Sequence, residues 1–163
     1  MKIIVVGAGI SGSVCAWRLA KNGHEVILLE KGRGVGGRMA TRRLAGARID
    51  HGAQFFTVRD PRMEELLSLW QHENAVVPWY DHIPGRADVP TGQRYRGSEG
   101  MTSPAKVLAK EFKVETSFFL QKIQRREKTW TLYEKDDPQR TFEADHLVIT
   151  IPSVQLLELF QRS

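Results

Sequence analysis

Four consecutive β-branched residues, Ile3 to Val6, run without helical period into Gly7, which is the pattern of a buried strand. The strand is predicted over Lys2 to Val6. Apolar side chains then recur at Ile10, Val14 and Trp17, with Ala16, Leu19 and Ala20 beside them, and Asn22-Gly23 supplies a stop. That spacing predicts a helix from about Ile10 to Asn22. Val26 to Leu29 is a second short apolar run, so Glu25 to Glu30 reads as another strand. The first thirty residues form a βαβ unit.

Further along, Asp60-Pro61 has the cap-then-proline order of a helix start, and the helix is predicted to run to about His72. Ala75 to Tyr80 and Gln93 to Arg96 read as partner strands flanking the turn-rich Pro84 to Gly92. Ser103-Pro104 opens a helix to roughly Phe112. Val114 to Ile123 and Thr129 to Glu134 read as extended, with Asp136-Asp137-Pro138 as a turn, which predicts a three-stranded meander. His146 to Ile151 is a further buried strand, and Ser153 caps a helix carrying Val154, Leu156, Leu157, Leu159 and Phe160. There is no internal repeat or linker. The pieces read as one domain over 1–163, an α/β fold with a parallel sheet, a β-meander and an inserted helix and strand region over about 58–100.

The spacing of glycines adds chemistry to this pattern. Gly7, Gly9 and Gly12 form GxGxxG between the first strand and the first helix, with Ala8, Ile10 and Ser11 between them. In that context the first glycine permits a tight turn, the second admits a pyrophosphate to the backbone, and the third lets helix pack on strand. The helix N-terminus favours an anion through its unpaired N–H groups and dipole. Glu30, eighteen residues after Gly12, is placed to accept hydrogen bonds from a ribose and disfavours a 2′-phosphate. A Rossmann-like dinucleotide site follows, with NAD and FAD both open at this point.

Charge sharpens the picture. The net charge is +5, and residues 31–50 carry all of it, with Lys31, Arg33, Arg38, Arg42, Arg43 and Arg48 against Asp50 alone. The same stretch, extended back to Gly7 and on to Gly52, holds ten of the fourteen glycines. A compact loop rich in Arg and Gly suits a small polyanion, whereas a nucleic-acid binder spreads its cations along a face with interleaved aromatics. No nucleic-acid partner is expected. The single cysteine, Cys15, excludes an intrachain disulfide and a multi-thiolate metal site, so a reducing, cytoplasmic setting is expected. No apolar run approaches the roughly 20 residues of a membrane-spanning helix, and no membrane partner is expected. The first sixteen residues complete the glycine pattern, so they are expected to belong to the fold rather than to a discarded signal.

Taken together, VVGAGISG at 5–12, EKGRGVGGRMATRR at 30–43, DHGAQFFTVRD at 50–60, PWY at 78–80, YRGSEGMTSPAKVLA at 95–109 and VITIPSVQLLELF at 148–160 resemble the N-terminal half of the renalase-like FAD-dependent oxidoreductases, in the amine-oxidase-type flavoprotein superfamily. The resemblance implies FAD as cofactor, with Gly36, Gly37 and Arg38 as a second glycine motif beside the first. Close backbone approach at the glycines and a charge-assisted donor at Arg38 agree with that role. Lys31 joins the implied cofactor set. Arg33 and Arg42 are weaker candidates. A backbone position that touches adenine in the family aligns with Leu120.

The resemblance also implies oxidation of a small reduced substrate, such as an isomeric dihydronicotinamide dinucleotide, with electrons passed to oxygen. The flavin carries such redox chemistry, and no catalytic base, triad or metal cluster is legible. His51, Trp79 and Tyr95 are candidates for the substrate pocket, with Tyr80 beside them, although core packing accounts better for such aromatics and a structural role better for a histidine. Relatives of this kind continue well beyond the helix at Ser153. A chain lacking that half is expected to turn over poorly and to self-associate through uncovered apolar surface. A non-catalytic FAD- or ADP-binding module, and the NAD-binding domain of a dehydrogenase, are the alternative readings.

Overall fold

The computed structural model describes residues 1–161. In chain order its elements are β1 (Lys2–Val6), α1 (Ile10–Lys21), β2 (Glu25–Leu29), β3 (Thr41–Leu44), β4 (Ala47–Asp50), β5 (Phe56–Thr57), α2 (Glu64–His72), β6 (Val76–Pro78), β7 (Arg94–Gly97), α3 (Ser103–Leu108), β8 (Lys113–Glu115), β9 (Leu120–Arg126), β10 (Thr129–Glu134), β11 (Thr141–Ala144), β12 (His146–Ile149) and α4 (Ser153–Gln161). The chain divides into two compact units, one of residues 1–37 and 108–163, the other of Arg38–Val107.

The first unit is α/β. Its parallel sheet has the order β12-β1-β2-β8. Strand alternation sends the two faces of β1 and β2 to different partners. Ile4, Val6, Ile27 and Leu29 pack with Phe118, Leu132 and Ala144 of the meander side. Val5, Val26 and Leu28 pack with Ala8 and Ala16 at the start of and along α1. Both faces are therefore covered, which is why these strands read as unbroken apolar runs rather than alternating ones. The cover on one face is the antiparallel sheet β11-β10-β9.

The structure departs from the sequence pattern in β8, α3 and β12. Val114 to Ile123 is not one extended piece: β8 belongs to the parallel sheet and β9 to the meander, with Ser117 at φ +52° turning the chain between them. The helix from Ser103 ends at Leu108, not near Phe112, because the Glu111 N–H closes onto the Leu108 carbonyl at 3.1 Å in a turn that leads into β8. The last strand of the parallel sheet stops at Ile149 rather than Ile151.

Glu134 ties the meander together. It is 5% exposed, and its carboxylate accepts the Asp137, Asp136 and Phe119 backbone N–H groups at 2.7, 2.8 and 3.2 Å. Burial pushes its carboxyl up, but these N–H donors outweigh that and hold it below the usual carboxylate range. A depressed folded-state value contributes stability that is present above the unfolded value and lost as pH falls through the folded one. Glu134→Gln is expected to lower the melting temperature at neutral pH and to reduce the acid sensitivity of unfolding; denaturant titrations from neutral to acidic pH check both.

The second unit is built on hairpins. β6 and β7 pair antiparallel, as their spacing predicts, and β5 adds a third strand on the other edge of β7. The basic stretch 31–50, read from sequence as one loop, contains the β3–β4 hairpin instead. Residues 42–49 of the hairpin are all exposed, so it lacks the buried face by which a strand is recognised. Arg43 stands opposite Arg48, and the ion pair of Arg48 with Glu99 offsets that repulsion.

Candidate functional site

The candidate site is the turn from β1 into α1. The Gly7 N–H donates to the Leu29 carbonyl at 2.8 Å, which carries the turn across the end of β2. Gly7 has φ +100°, a conformation that disfavours any side chain. Gly12 is required by packing: a Cβ there would lie 1.9 Å from the Gly7 carbonyl oxygen and 2.6 Å from Thr150 Oγ1. At Gly9 a Cβ would meet nothing within 4 Å. The three glycines thus do three separate jobs, and the middle one leaves open space beside the backbone.

The head of α1 faces that space with its donors free of side-chain competition. Gly9 is the N-cap residue, there is no side-chain cap, and the first turn holds no acidic residue. The Ser13 N–H closes the first helical turn on the Gly9 carbonyl at 2.9 Å. The N–H groups ahead of it have no intrahelical partner and sit at the positive end of the helix dipole.

Two more segments converge on the turn. Glu30, at the end of β2, accepts the Ala8 N–H on Oε2 at 2.8 Å and the Gly32 N–H on Oε1 at 2.7 Å. A carboxylate has about four acceptor positions, so this leaves capacity for ligand hydroxyls. The Gly36 N–H donates to the Ala8 carbonyl at 2.8 Å, and Gly36 bridges Gly9 in parallel. Gly37 has φ +53°, and a Cβ on it would lie 3.0 Å from Gly9 Cα. The second glycine pair is thus laid against the first.

Ile10 and Ser11 belong to this head of α1. Ile10 begins α1 half-buried, and Ser11 is exposed in its first turn. Lys31 is exposed and donates to Gln155 Oε1 at 3.1 Å. Arg33 is exposed in the first unit; Arg38 and Arg42 are exposed in the second. The Arg38 carbonyl accepts the Ala53 N–H at 3.0 Å. Leu120 heads β9, paired with Glu134. The segment beside Glu30 is earlier: the Glu30 N–H donates to the Glu115 carbonyl, and the Phe118 N–H to the Glu30 carbonyl, at 2.8 and 3.0 Å.

Within the second unit, His51 is exposed next to Asp50, whose carboxylate instead accepts Thr41 Oγ1 and the Met101 N–H at 2.5 and 3.0 Å. Trp79 contacts Phe55 and Tyr80, whereas Tyr95 stacks on Phe56 at 5.7 Å, which in turn meets Trp70.

Thr150 escaped the sequence reading. Its N–H donates to the Val6 carbonyl at 2.9 Å, and its Oγ1 lies 3.0 Å from both the Val6 and Gly7 carbonyl oxygens. It braces the glycine turn from the end of β12. The only signal was a hydroxyl at the end of an apolar strand 143 residues away. Among the described residues no group of three or more His, Cys, Asp or Glu is placed to hold a metal ion, and no helix is long and apolar enough to cross a membrane.

The fold and this turn are those of a Rossmann-like α/β domain. Residues 5–70 match the family described as "NAD(P)-binding Rossmann-like domain". Among curated proteins the chain is similar to 4,4'-diapophytoene desaturase (4,4'-diaponeurosporene-forming) of Staphylococcus aureus strain Newman, 36% identical over 101 residues that cover 56% of this chain and 20% of the desaturase. The chain therefore spans about a fifth of the length of that relative. Among solved structures it resembles a putrescine oxidase redesigned in its cofactor binding, with a TM-score of 0.71, 16% identity and coverage of 93% of this chain and 58% of the other. It also resembles a CLA-producing fatty acid isomerase from P. acnes, with a TM-score of 0.70, 15% identity and coverage of 96% and 60%.

Proposed function

We propose that the first unit binds FAD and forms the cofactor domain of a flavin-dependent oxidoreductase. The observation that carries this reading is the convergence of three backbone segments: the open side of Gly9, the uncapped head of α1, and the Gly36–Gly37 pair laid against Gly9. These residues fit a dinucleotide diphosphate. Bare N–H groups and a helix dipole stabilise its charge, no Cβ at Gly9 obstructs it, and Glu30 retains acceptors for ribose hydroxyls. Bound there, FAD supplies two-electron redox chemistry. The chain's own residues hold the diphosphate, and Thr150 keeps the turn rigid while they do.

The finer proposal is a renalase-like enzyme of the cytoplasm, acting on a small reduced substrate such as an isomeric dihydronicotinamide dinucleotide and returning electrons to oxygen. It rests on the sequence blocks at 30–43, 50–60 and 95–109. The second reading, an NAD-binding domain, is favoured by the description of the family that matches residues 5–70. Visible spectra and thermal shift against FAD, NAD and ADP separate the two. FAD at 100 times its dissociation constant is expected to add about 2.7 kcal/mol of stability. Stabilisation by NAD without FAD would overturn the proposal.

A further inference from the structure

The second unit carries an aromatic group that the nucleotide reading does not use. Phe55, Trp79 and Tyr80 meet edge to face or tilted, with ring centroids 4.9 Å apart for Trp79–Tyr80, 5.9 Å for Phe55–Tyr80 and 6.4 Å for Phe55–Trp79. Rings that pack together normally shed their water, yet Trp79 is 49% and Phe55 41% exposed. The group is an aromatic platform partly open to solvent, a candidate binding surface.

Arg94 lies against it. The residue is 6% exposed, and its guanidinium carbon is 5.1 Å from the Tyr80 ring centroid and 6.0 Å from that of Phe55. Nη1 donates to the Asp81 and Gly92 carbonyls at 2.8 Å each, and Nη2 to the Pro90 carbonyl at 2.7 Å. Nε has no acceptor. No carboxylate among the described residues pairs with this cation; that of Asp81 engages His82 Nδ1 at 2.6 Å. A buried guanidinium offset only by carbonyl dipoles carries a net field to its surroundings.

The backbone fixes this arrangement. The Trp79 N–H donates to the Arg94 carbonyl, and the Arg94 N–H to the Tyr80 carbonyl, at 2.8 Å each. Trp79 and Tyr80 are thereby paired with the Arg94 main chain, and the guanidinium lies near the Tyr80 and Phe55 rings. A cation near the aromatic faces consumes part of their negative quadrupole, so the platform disfavours a cationic ring and favours an electron-rich or anionic one.

We propose that Phe55, Trp79 and Tyr80, backed by Arg94, form a binding site for a planar aromatic anion, with Trp79 as the stacking residue and Arg94 as the source of the charge preference. The test uses calorimetric titration of the full chain with naphthoate and with naphthylmethylammonium, which share a ring system and differ in charge. Naphthoate is expected to bind saturably and at least about tenfold more tightly than the ammonium probe. Trp79→Ala is expected to weaken naphthoate by about tenfold or more, with the melting temperature reporting separately on the lost ring contacts. Arg94→Lys, which keeps the charge where Arg94→Met could fail to fold, is expected to retain the preference for the anion. Absence of saturable binding, equal or tighter binding of the ammonium probe, or indifference to Trp79→Ala would overturn the proposal. FAD binding by the same preparations reports on the first unit separately, so failure here leaves the cofactor reading standing and failure there leaves this one.

Discussion

Gly12→Ala is expected to destabilise the first unit by about 3 kcal/mol or more and to abolish FAD binding, whereas Gly9→Ala is expected to weaken binding more than about tenfold with the fold intact. The two glycines stand three residues apart and differ in what surrounds them. A methyl group on Gly12 would have to occupy a point 1.9 Å from a backbone oxygen of Gly7. Backbone cannot give way as a flexible side chain can, so either α1 lifts off the turn or the turn unwinds. Thr150 would be displaced too, since its Oγ1 lies 2.6 Å from the same point.

At Gly9 the backbone is ordinary, with φ −67° and ψ 173°, and the added methyl meets no protein atom within 4 Å. Such a substitution leaves stability unchanged or raises it by roughly 0.4–1 kcal/mol through the unfolded chain. The methyl would instead fill the space through which a diphosphate approaches, and a loss of more than about tenfold in affinity is expected, or about 1.4 kcal/mol. Thermal unfolding with and without FAD measures both effects on both variants. Native FAD affinity in Gly9→Ala would show that the ligand does not approach the turn at all.

Much of this site was legible because its parts lie close in sequence. Gly7, Gly9, Gly12 and Glu30 fall within one βαβ unit, and each is constrained by a local requirement: a positive φ, an open face, a close helix contact, a strand end. Gly36 and Gly37 needed the resemblance, since nothing in their spacing fixes the contact with Gly9. Thr150 was illegible because its partners are carbonyls of β1, and strand pairing at that separation leaves no periodic trace. The β3–β4 hairpin hid for the opposite reason. Its side chains lie in solvent on both faces, so Thr41–Leu44 and Ala47–Asp50 show no alternation that a core would impose. The division of Val114 to Ile123 hid because Thr116 to Phe119 contains no glycine or proline; the turn is made by Ser117 at φ +52°, which non-glycine residues adopt uncommonly.

Leu132→Ala is expected to cost about 2–5 kcal/mol, among the largest effects of any single core truncation in this chain. Leu132 is completely buried, and it shares a cluster with Ile4, Val6, Ile27 and Leu29 of the parallel sheet and with Phe118 and Ala144. It sits on the middle strand of the meander, opposite Ile123 on β9 and Phe142 on β11, so both neighbouring strands limit how far the site can collapse around a void. A cavity held open in this way loses transfer energy and contacts together. The meander has no other apolar layer among the described clusters, so its contacts with the sheet are what keep its inner face dry. If that is correct, far-ultraviolet circular dichroism and tryptophan fluorescence will give coincident unfolding curves for Leu132→Ala, shifted together to lower denaturant. Trp17 on α1 and Trp130 on β10 report from opposite faces of the sheet. Separate transitions that persist when Trp70 and Trp79 of the second unit are replaced by Phe would mean that the meander is an independent appendage, and the glycine turn would then have to be held by the sheet and α1 alone.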